Sequence, residues 1–378
     1  MKVLIAVTHL LGTGHLARAL TLGRAFAAAG HDVCLLSGGS PQPHMDAAGV
    51  RVVQVPALAS DGVNFARLLQ PSGAEADLGY LMQRADCMVD ALRNFAPDAV
   101  ITELFPFGRR SLSAEFLSLL EAAQNMRPAP VVLASIRDIL APPSKPSKAA
   151  RCDEVLRTFY DGVLVHSDPS VIQLEASWPV TDDVSPMLQY TGFVAPTPPV
   201  RAANAGGQNE VIVSAGGGAV GEVLFDAALD AAKQSDLKWR FLIGGKGAAQ
   251  QISVMKRAVQ GDNITIEGVR PDFRSLLLVA RCSVSMCGYN TTMDLLQTGV
   301  PAVVMPFDDG GEVEQGLRAQ SLAKLPAIEV VKTSHMSAKT LLTAITRATV
   351  RGRRDQGVAG FDGAQETVRI TAQMVGKR

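Results

Sequence analysis

The sequence predicts an α/β protein with two doubly wound lobes, and three observations lead to this prediction. Short, almost continuously apolar runs alternate with longer helical patterns along the whole chain. This is the pattern of parallel strands that are covered by helices on both faces. The chain has 378 residues, which is too many for a single hydrophobic core. A stretch without periodicity, near residue 200, separates two halves of similar size.

The first half alternates between strand and helix patterns. The predicted strands are residues 3–7, 33–37, 52–55, 99–102, 131–135 and 162–166. The helical patterns between them cover residues 16–29, 77–95 and 111–124. This alternation indicates a parallel sheet, because two parallel neighbours need a crossover connection, which is usually a helix.

The second half repeats the alternation. Its predicted strands are residues 210–214, 239–244, 264–267, 282–286, 302–306 and 327–331, and its helical patterns are 221–234, 248–259 and 312–324. Residues 196–208 are rich in Pro, Gly and Ala and predict a linker. We expect lobes over 1–195 and 209–360, and a C-terminal helix in 361–378 that packs back on the first lobe. A cleft is expected between the carboxyl ends of the two sheets, where α/β folds bind ligands.

The composition excludes several classes of function. Hydrophobic residues make up 47% of the chain and charged residues 19%, which is typical of a globular protein. Basic and acidic residues number 36 each, so general nucleic-acid binding, which needs a basic surface, is not expected. The five cysteines are scattered and odd in number, which favours free thiols in a reducing cytoplasm.

A membrane-spanning segment is not expected either. No run approaches the roughly 20 apolar residues that cross a bilayer, and no signal cleavage site follows the N-terminus. We therefore expect a cytoplasmic protein. The basic run from Arg351 to Arg354 predicts a solvated loop, with peripheral contact to the inner, anionic face of a membrane as the alternative.

The most informative stretch runs from residue 286 to residue 307. A strand ends at Gly288, a helix opens with the polar residues 290–292, and Asp294 lies within its first turns. A glycine turn into a helix start binds anions, because free N–H groups and the helix dipole point at the ligand. A carboxylate further along the helix can accept both hydroxyls of a ribose. The stretch therefore predicts a site for a nucleotide diphosphate, and hence for a nucleotide-sugar.

Two further glycine-rich turns follow predicted strands. Residues 12–17 fit the dinucleotide pattern Gly-x-Gly-x-x-Gly/Ala, but no carboxylate ends the second strand to hold an adenosine ribose. An NAD(P) site is therefore disfavoured, and His15 is interpreted as a polar group near the acceptor or the transferred sugar. The other turn contains three glycines that let backbone N–H groups approach a ligand: Gly216, Gly217 and Gly218.

These motifs, with Glu314 and Gln315 after the predicted strand 302–306, resemble the GT-B glycosyltransferases of the MurG-like group, family 28. The resemblance covers nearly the whole chain. It implies two Rossmann-like lobes, with the acceptor site in the first and the nucleotide-sugar site in the second. Residues 102–107 stand where the group has a second glycine-rich loop, which implies a member of the group with another acceptor.

The resemblance also implies a role for each matching residue. Asp294 would hold the ribose diol, with one methylene less reach than the glutamate usual in the group. Val269 would lie at the edge of the base, and Glu314 and Gln315 would bind hydroxyls of the donor sugar. The implied donor-binding residues are Gly14, Gly216, Gly217, Gly218, Val269, Gly288, Tyr289, Asn290, Thr291, Asp294, Glu314 and Gln315.

We therefore expect an inverting glycosyltransferase without metal or cofactor, since no Asp-x-Asp motif ends a strand; Asp308 and Asp309 are the nearest acidic pair. The expected donor is a UDP-sugar carrying a hexose, an N-acetylhexosamine or a uronic acid. The expected acceptor is a hydroxyl in envelope polysaccharide, extracellular polysaccharide or glycolipid synthesis, lipid-linked acceptors included. Three residues at or after strand ends are alternative bases for its proton: His15, Glu103 and Asp138.

Two other functions remain open from the sequence. A UDP-sugar 2-epimerase of the same fold needs several acidic and histidine side chains, but only His335 of the six histidines lies in the second half. A nucleotide-sugar binding protein without catalytic activity is the other alternative. Incubation with UDP-sugars separates the three, because they give an epimerised sugar, released UDP or binding alone.

Overall fold

The computed structural model describes residues 1–10, 13–60, 67–201, 206–215, 221–245, 247–259, 261–307, 313–355 and 360–378. The chain divides into two compact units. Unit 1 comprises Met1–Pro169, Gln173–Val194 and Phe361–Arg378, and unit 2 comprises Ser170–Ile172 and Ala195–Gly360. Of the predicted linker, residues 202–205 lie outside the described residues.

Unit 1 contains a parallel sheet of seven strands. The strands are β1 (Lys2–Val7), β2 (Asp32–Gly39), β3 (Arg51–Leu58), β4 (Ala99–Glu103), β5 (Val131–Arg137), β6 (Gly162–His166) and β7 (Leu188–Tyr190). Their order is β3-β2-β1-β4-β5-β6-β7, and each neighbouring pair is parallel. The strand order reverses between β1 and β4, and such a switch point is where doubly wound sheets bind ligands.

Both faces of this sheet are buried, as the continuous apolar strands predict. Leu4 and Ala6 of β1 belong to one hydrophobic cluster, whereas Val3 and Ile5 belong to another on the opposite face. The helices that precede unit 2 are α1 (Gly14–Ala28), α2 (Leu78–Phe95), α3 (Ser113–Gln124) and α4 (Pro146–Phe159).

Unit 2 contains a second parallel sheet of six strands. The strands are β8 (Glu210–Ala215), β9 (Lys238–Ile243), β10 (Ile264–Gly268), β11 (Cys282–Met286), β12 (Ala302–Met305) and β13 (Ile328–Val330). The helices are α5 (Gly221–Lys233), α6 (Ala248–Arg257), α7 (Phe273–Leu277), α8 (Tyr289–Thr298), α9 (Glu314–Leu322) and α10 (Ala338–Val350). The order β10-β9-β8-β11-β12-β13 repeats that of the first six strands of unit 1, with the switch point between β8 and β11.

The last helix, α11 (Gly363–Val375), belongs to unit 1. It packs against α1 and β5, and Val194 forms a bridge with Asp362 just before the helix starts. Gly363 donates its N–H to the carbonyl of Phe193 over 3.2 Å. A Cβ at Gly363 would lie 2.5 Å from the carbonyl oxygen of Gly192, so this close approach requires glycine.

The structure confirms the two α/β sheets and adds elements that the sequence patterns did not predict. The short strand β7 is only half-buried and has no continuous apolar run. Helix α4 starts at Pro146, directly after a proline-rich stretch that indicated a loop; proline at the first helical position lacks only an N–H that the helix does not use. Helices α7 and α10 were also not predicted. Among the described helices, none is both long and apolar enough to span a membrane.

The basic run near residue 351 is not the fully solvated loop that the sequence predicted. Arg354 is only 6% exposed and donates to the carbonyls of Leu295 and Val300 at the end of α8, over 2.9 and 2.7 Å. Arg353 lies at the surface, yet its guanidinium donates to the carbonyl of Thr298 over 3.0 Å. These side chains satisfy carbonyls that a helix end leaves without partners, which hydrophobicity and charge alone do not reveal.

A buried ion pair connects several elements of unit 1. Arg84 on α2 is 0% exposed and binds Glu115 on α3 with two parallel hydrogen bonds of 2.8 Å. Arg84 also donates to the carbonyls of Gly38 and Pro56, near the ends of β2 and β3. The pair therefore joins two helices to the carboxyl edge of the sheet.

Candidate active site

The carboxyl edge of the unit 1 sheet brings together two of the predicted base candidates. His15 is the second residue of α1, which follows β1, and Glu103 is the last residue of β4. Strands β1 and β4 are neighbours at the switch point, with Ala6 opposite Thr102. Nδ1 of His15 lies 2.9 Å from Oε1 of Glu103. The two candidates thus form one hydrogen-bonded dyad.

Two more side chains hold the Glu103 carboxylate. Arg18, one helical turn after His15, donates to both of its oxygens. Ser135 on β5, directly opposite Glu103 in the sheet, donates its hydroxyl to Oε2 over 2.7 Å. Glu103 is 1% exposed, so these partners, together with His15, compensate a charge that burial would otherwise disfavour.

A second histidine continues this network into the core. Nε2 of His166 lies 2.9 Å from the Ser135 hydroxyl, and its Nδ1 lies 2.9 Å from the hydroxyl of Thr191. Since Ser135 donates to Glu103, it accepts from Nε2–H of His166, which leaves Nδ1 to accept from Thr191. His166 is therefore neutral in this arrangement, and burial lowers its pKa to about 3.

The electrostatics give the dyad members different roles. Burial lowers the pKa of His15 to about 4, and the hydrogen bond and charge of Glu103 only partly oppose this. Burial alone would raise the pKa of Glu103, but the charge of Arg18 and the bond to His15 hold it well below its usual range. At neutral pH, His15 is an uncharged imidazole whose Nδ1–H points at a carboxylate, so Nε2 carries the lone pair that can accept a proton.

The third base candidate is placed differently. Asp138 follows β5 and is 0% exposed, so an acceptor hydroxyl does not reach its carboxylate in this structure. Glu103 is as inaccessible, and its contacts suit it to orient His15. Of the three candidates, His15 has the accessible ring, with 19% of its side chain exposed. Gly14 opens the same helix, and a Cβ there would meet no described atom within 4 Å.

The buried histidines predict acid sensitivity of the fold. The pKa of an unfolded histidine is about 6.5, above the values of about 4 for His15 and about 3 for His166 in the folded chain. Between pH 6.5 and 4 the unfolded state therefore binds more protons, and stability falls as the pH falls. We expect His166→Gln to make this dependence shallower by up to about 1.4 kcal/mol per pH unit, measured by urea unfolding at several pH values.

His44→Gln is the matched control for this measurement, because His44 lies exposed on a loop. It makes the same change of residue type outside the buried network, so a change of slope that both variants share is not caused by the burial of His166. Equal slopes for the unaltered chain and for His166→Gln would show that His166 does not stay neutral in the folded state.

In unit 2, the turn between β11 and α8 presents backbone amides. Gly288 precedes the helix with φ −70° and ψ 158°, and within the described part of the chain no side chain caps this helix start. The N–H groups of Tyr289, Asn290 and Thr291 occupy the first turn, whose amides have no partner within a helix. A Cβ on Gly288 would meet no described atom within 4 Å, so the turn is open to a ligand.

Asp294 lies on the same helix but is not an isolated carboxylate. Nε of Arg274 donates to its Oδ1 over 2.7 Å, and Arg274 also binds the side-chain oxygen of Gln297. The amide of Gln297 donates to the carbonyl of Pro196 over 2.9 Å. Burial raises the pKa of Asp294, and the neighbouring Arg274 opposes this. A ribose at Asp294 would therefore share the carboxylate with Arg274.

A buried arginine lies behind the start of α8. Arg318 on α9 is 1% exposed and donates to the carbonyl of Cys287 over 3.2 Å. Its guanidinium lies 5.9 Å from the centre of the Tyr289 ring, in a cation–π arrangement. This positive charge adds to the potential of the helix start, which favours an anionic ligand there.

The other predicted donor residues are placed as follows. Val269, just after β10, is 63% exposed, but its N–H donates to the carbonyl of Ile243, so only its carbonyl remains for a base edge. Gln315 Oε1 accepts from the N–H of Phe307 over 3.1 Å, which leaves its NH₂ group for a sugar, and Glu314 is the first residue of α9. Gly216, Gly217, Gly218, Asp308 and Asp309 lie outside the described residues.

Sequence reasoning missed five side chains of these sites. In unit 1 they are Arg18, Ser135 and His166, and in unit 2 they are Arg274 and Arg318. Arg18 was detectable, because residues three apart on a helix are neighbours. His166 ends β6, and Ser135 lies two residues before the end of the adjacent strand β5, so both lie near one sheet edge, which is a signal of the same kind. Arg274 and Arg318 reach their partners through tertiary packing, for which the sequence gives no spacing rule.

The comparisons with known proteins concern the fold and the second unit. Residues 211–356 match the family model described as "Glycosyltransferase family 28 C-terminal domain". MurG from Acinetobacter baumannii is 17% identical, with a TM-score of 0.66, and the match covers 99% of this chain and 100% of that one. The glycosyltransferase VinC is 15% identical, with a TM-score of 0.63 and coverages of 100% and 98%.

A further structural neighbour is the glycosyltransferase SnogD from Streptomyces nogalater, at 19% identity, a TM-score of 0.59 and coverages of 100% and 99%. No curated protein matches the sequence significantly. At these identities the structural neighbours show only the fold, whereas the family model shows which kind of domain residues 211–356 form. The chain is a glycosyltransferase with the two-lobed GT-B fold, and its residues 211–356 form a family 28 C-terminal domain.

Proposed function

We propose that unit 2 binds a nucleotide-sugar, with a UDP-sugar as the leading candidate, and that the enzyme transfers the sugar to an acceptor hydroxyl with inversion. The observation that carries this proposal is the uncapped start of α8, backed by Arg318 and followed by Asp294 on the same helix. The backbone amides and the helix dipole at the start of α8 suit a diphosphate, and the carboxylate of Asp294 suits the diol of a ribose.

In the proposed reaction, the acceptor oxygen attacks the anomeric carbon while Nε2 of His15 takes the hydroxyl proton. The bond from the anomeric carbon to the diphosphate oxygen breaks on the opposite face, so the configuration inverts. The bonding electrons leave with the diphosphate, where amides at the start of α8 stabilise the added charge. Glu103 keeps the His15 ring oriented and stabilises the imidazolium that forms. No metal is assigned a role.

The nucleotide base and the acceptor are two further parts of this proposal. VinC was crystallised with dTDP, so thymidine nucleotides belong in any test beside uridine nucleotides. A carbonyl such as that of Val269 can accept from the imide N–H that uracil and thymine share. We propose an acceptor in envelope polysaccharide, extracellular polysaccharide or glycolipid synthesis, and a place of action at the cytoplasmic face of a membrane, as the motif resemblance to the MurG-like group implies.

A binding screen followed by an activity assay tests the proposal. UDP, dTDP, GDP and their sugars are compared by thermal shift, where a ligand at 100 times its Kd adds about 2.7 kcal/mol of stability. The stabilising nucleotide-sugar is then incubated with the enzyme, with and without EDTA. Slow release of the nucleoside diphosphate with EDTA present supports metal-independent transfer. An epimerised sugar, or activity that EDTA abolishes, contradicts it.

Asp294→Asn tests the ribose contact. The substitution keeps the shape of the side chain and removes the charge, so we expect nucleoside diphosphate affinity to fall by about tenfold or more in calorimetry. Asparagine can still accept from Arg274, which limits damage to the fold. Unchanged affinity would remove Asp294 from the donor site.

Asp230→Asn is the matched control. Asp230 forms a surface ion pair with Lys233 on α5, and its side chain is 63% exposed. The same change of charge at this position is expected to leave nucleotide affinity unaltered. A comparable loss in both variants would indicate a general electrostatic effect of unit 2 and not a contact at α8.

A further inference from the structure

Unit 1 contains a small cavity between the starts of α3 and α4. Its volume is about 180 Å³. Phe105, Leu117 and Val155 supply apolar walls, and Arg110, Lys148 and Arg151 surround the opening. An apolar interior under three cationic side chains is an unusual combination for a cavity that only fills space, because cations gather only where something offsets their repulsion.

The positive charges at this cavity are poorly compensated. Arg110 donates to the carbonyl of Phe107 over 3.1 Å, and Lys148 to the hydroxyl of Ser144 over 2.7 Å. Both partners are neutral. Arg151 alone has a carboxylate partner within the described residues, Glu154, at 2.6 Å. The opening thus carries a net positive charge that an anionic ligand would neutralise.

The backbone adds to this field. Helices α3 and α4 both begin at the cavity, and in the described ranges neither start has a side-chain cap. The first turn of α4 contains no acidic residue. Ser113 and Ser147, in the first turns of α3 and α4, line the cavity. The positive ends of two helix dipoles therefore lie beside the cationic side chains, which strengthens the preference for an anion.

The interior differs from the opening in its chemistry. Cys152 in the cavity wall is 3% exposed, and burial raises the pKa of its thiol, so the wall stays uncharged. A volume of 180 Å³ takes a few carbon atoms but not a whole drug-sized molecule. An apolar cavity of roughly 150 Å³ holds a benzene ring, which sets the scale.

We propose that this cavity binds an anionic amphiphile, with its phosphate or carboxylate at Arg110, Lys148 and Arg151 and its first carbons between Phe105 and Val155. Phe105 follows Glu103 by two residues, so the cavity wall begins within roughly 7 Å of the dyad along the chain. The ligand is therefore held on the same sheet edge as the proposed base. The binding itself does not depend on the sugar donor, so it is tested without one.

Calorimetry with the full chain and octyl phosphate tests the proposal. We expect saturable binding that weakens by about tenfold or more in Arg110→Gln/Lys148→Gln, because two charge-assisted contacts are lost. Octanol is expected not to bind, and butyl phosphate to bind more weakly than octyl phosphate. If inorganic phosphate binds as tightly as octyl phosphate, the ligand needs no alkyl chain and the proposal of an amphiphile is overturned. If octyl phosphate does not bind, the proposal of a binding site is overturned.

Arg93→Gln is the matched control, since Arg93 lies exposed in the last turn of α2 and outside the cavity. A loss of affinity equal to that of the double variant would attribute binding to overall charge and overturn the proposal. Vesicles distinguish the two sources of the ligand. A lipid headgroup is identified if the protein binds phosphatidylcholine vesicles only when they contain phosphatidic acid, and if the double variant loses this binding. A soluble ligand is identified if the protein binds octyl phosphate but not these vesicles.

Discussion

His15→Ala is expected to lower kcat by about 100- to 10,000-fold, the usual contribution of a positioned general base. Nucleotide affinity should stay nearly unchanged, because His15 belongs to unit 1 and the proposed donor contacts belong to unit 2. The measurement is steady-state kinetics with the donor found in the screen, alongside calorimetry of the nucleoside diphosphate. Equal losses in both quantities would make His15 a donor-binding residue and not a base.

The pH dependence gives an independent check of this role. A base with a pKa of about 4 remains unprotonated at neutral pH, so kcat/KM should stay level from pH 8 to about pH 5 and fall nearer pH 4. Glu103→Gln should depress kcat while the glutamine still accepts from Nδ1–H. It should also shift the acid limb to lower pH, because the negative charge that supports imidazolium is gone. An unmoved acid limb would show that Glu103 does not act through His15.

Arg84→Met is expected to destabilise the protein by about 3–5 kcal/mol, since it leaves Glu115 buried without its partner. Chemical unfolding in urea measures this loss. The double variant Arg84→Met/Glu115→Leu should recover part of it, because both charges are then replaced by apolar groups. A double variant no more stable than Arg84→Met would show that the unpaired charge of Glu115 does not account for the loss.

A surface pair serves as the control for this prediction. Arg157 binds Asp183 at 2.9 Å, with side chains that are 54% and 63% exposed. Arg157→Met should change stability by less than about 1 kcal/mol, since solvent screens such pairs. The contrast separates the effect of burial from the effect of removing an arginine.

The sheets were predictable because parallel strands buried on both faces leave continuous apolar runs. Strands such as β1 and β11 stand out for this reason, whereas β7 has only intermediate burial and leaves no such run. The helix starts after these strands were predictable from glycine and polar residues. Helix α4 was not, because its proline-rich approach has the same composition as a loop.

The sequence allowed us to predict residues of the candidate site but not the contacts between them. His15 and Glu103 were chosen separately, as groups that follow strands on one edge, and their contact depends on β1 and β4 being neighbours. A strand order is a long-range property that no local spacing encodes. The same holds for the Asp294 carboxylate, whose partner Arg274 is 20 residues away. It holds for Arg354, which sequence patterning assigned to solvent.

The return of α11 to unit 1 has a consequence for protein engineering. Because unit 2 is a nearly continuous block, Ala195–Gly360, and the chain re-enters unit 1 at Phe361, a chimera that exchanges donor specificity needs two junctions. Residues after Phe361 must come from the parent that supplies the first unit. A single crossover near residue 195 would pair α1 with a foreign α11 and expose a mismatched helix interface, even if both parents share the fold.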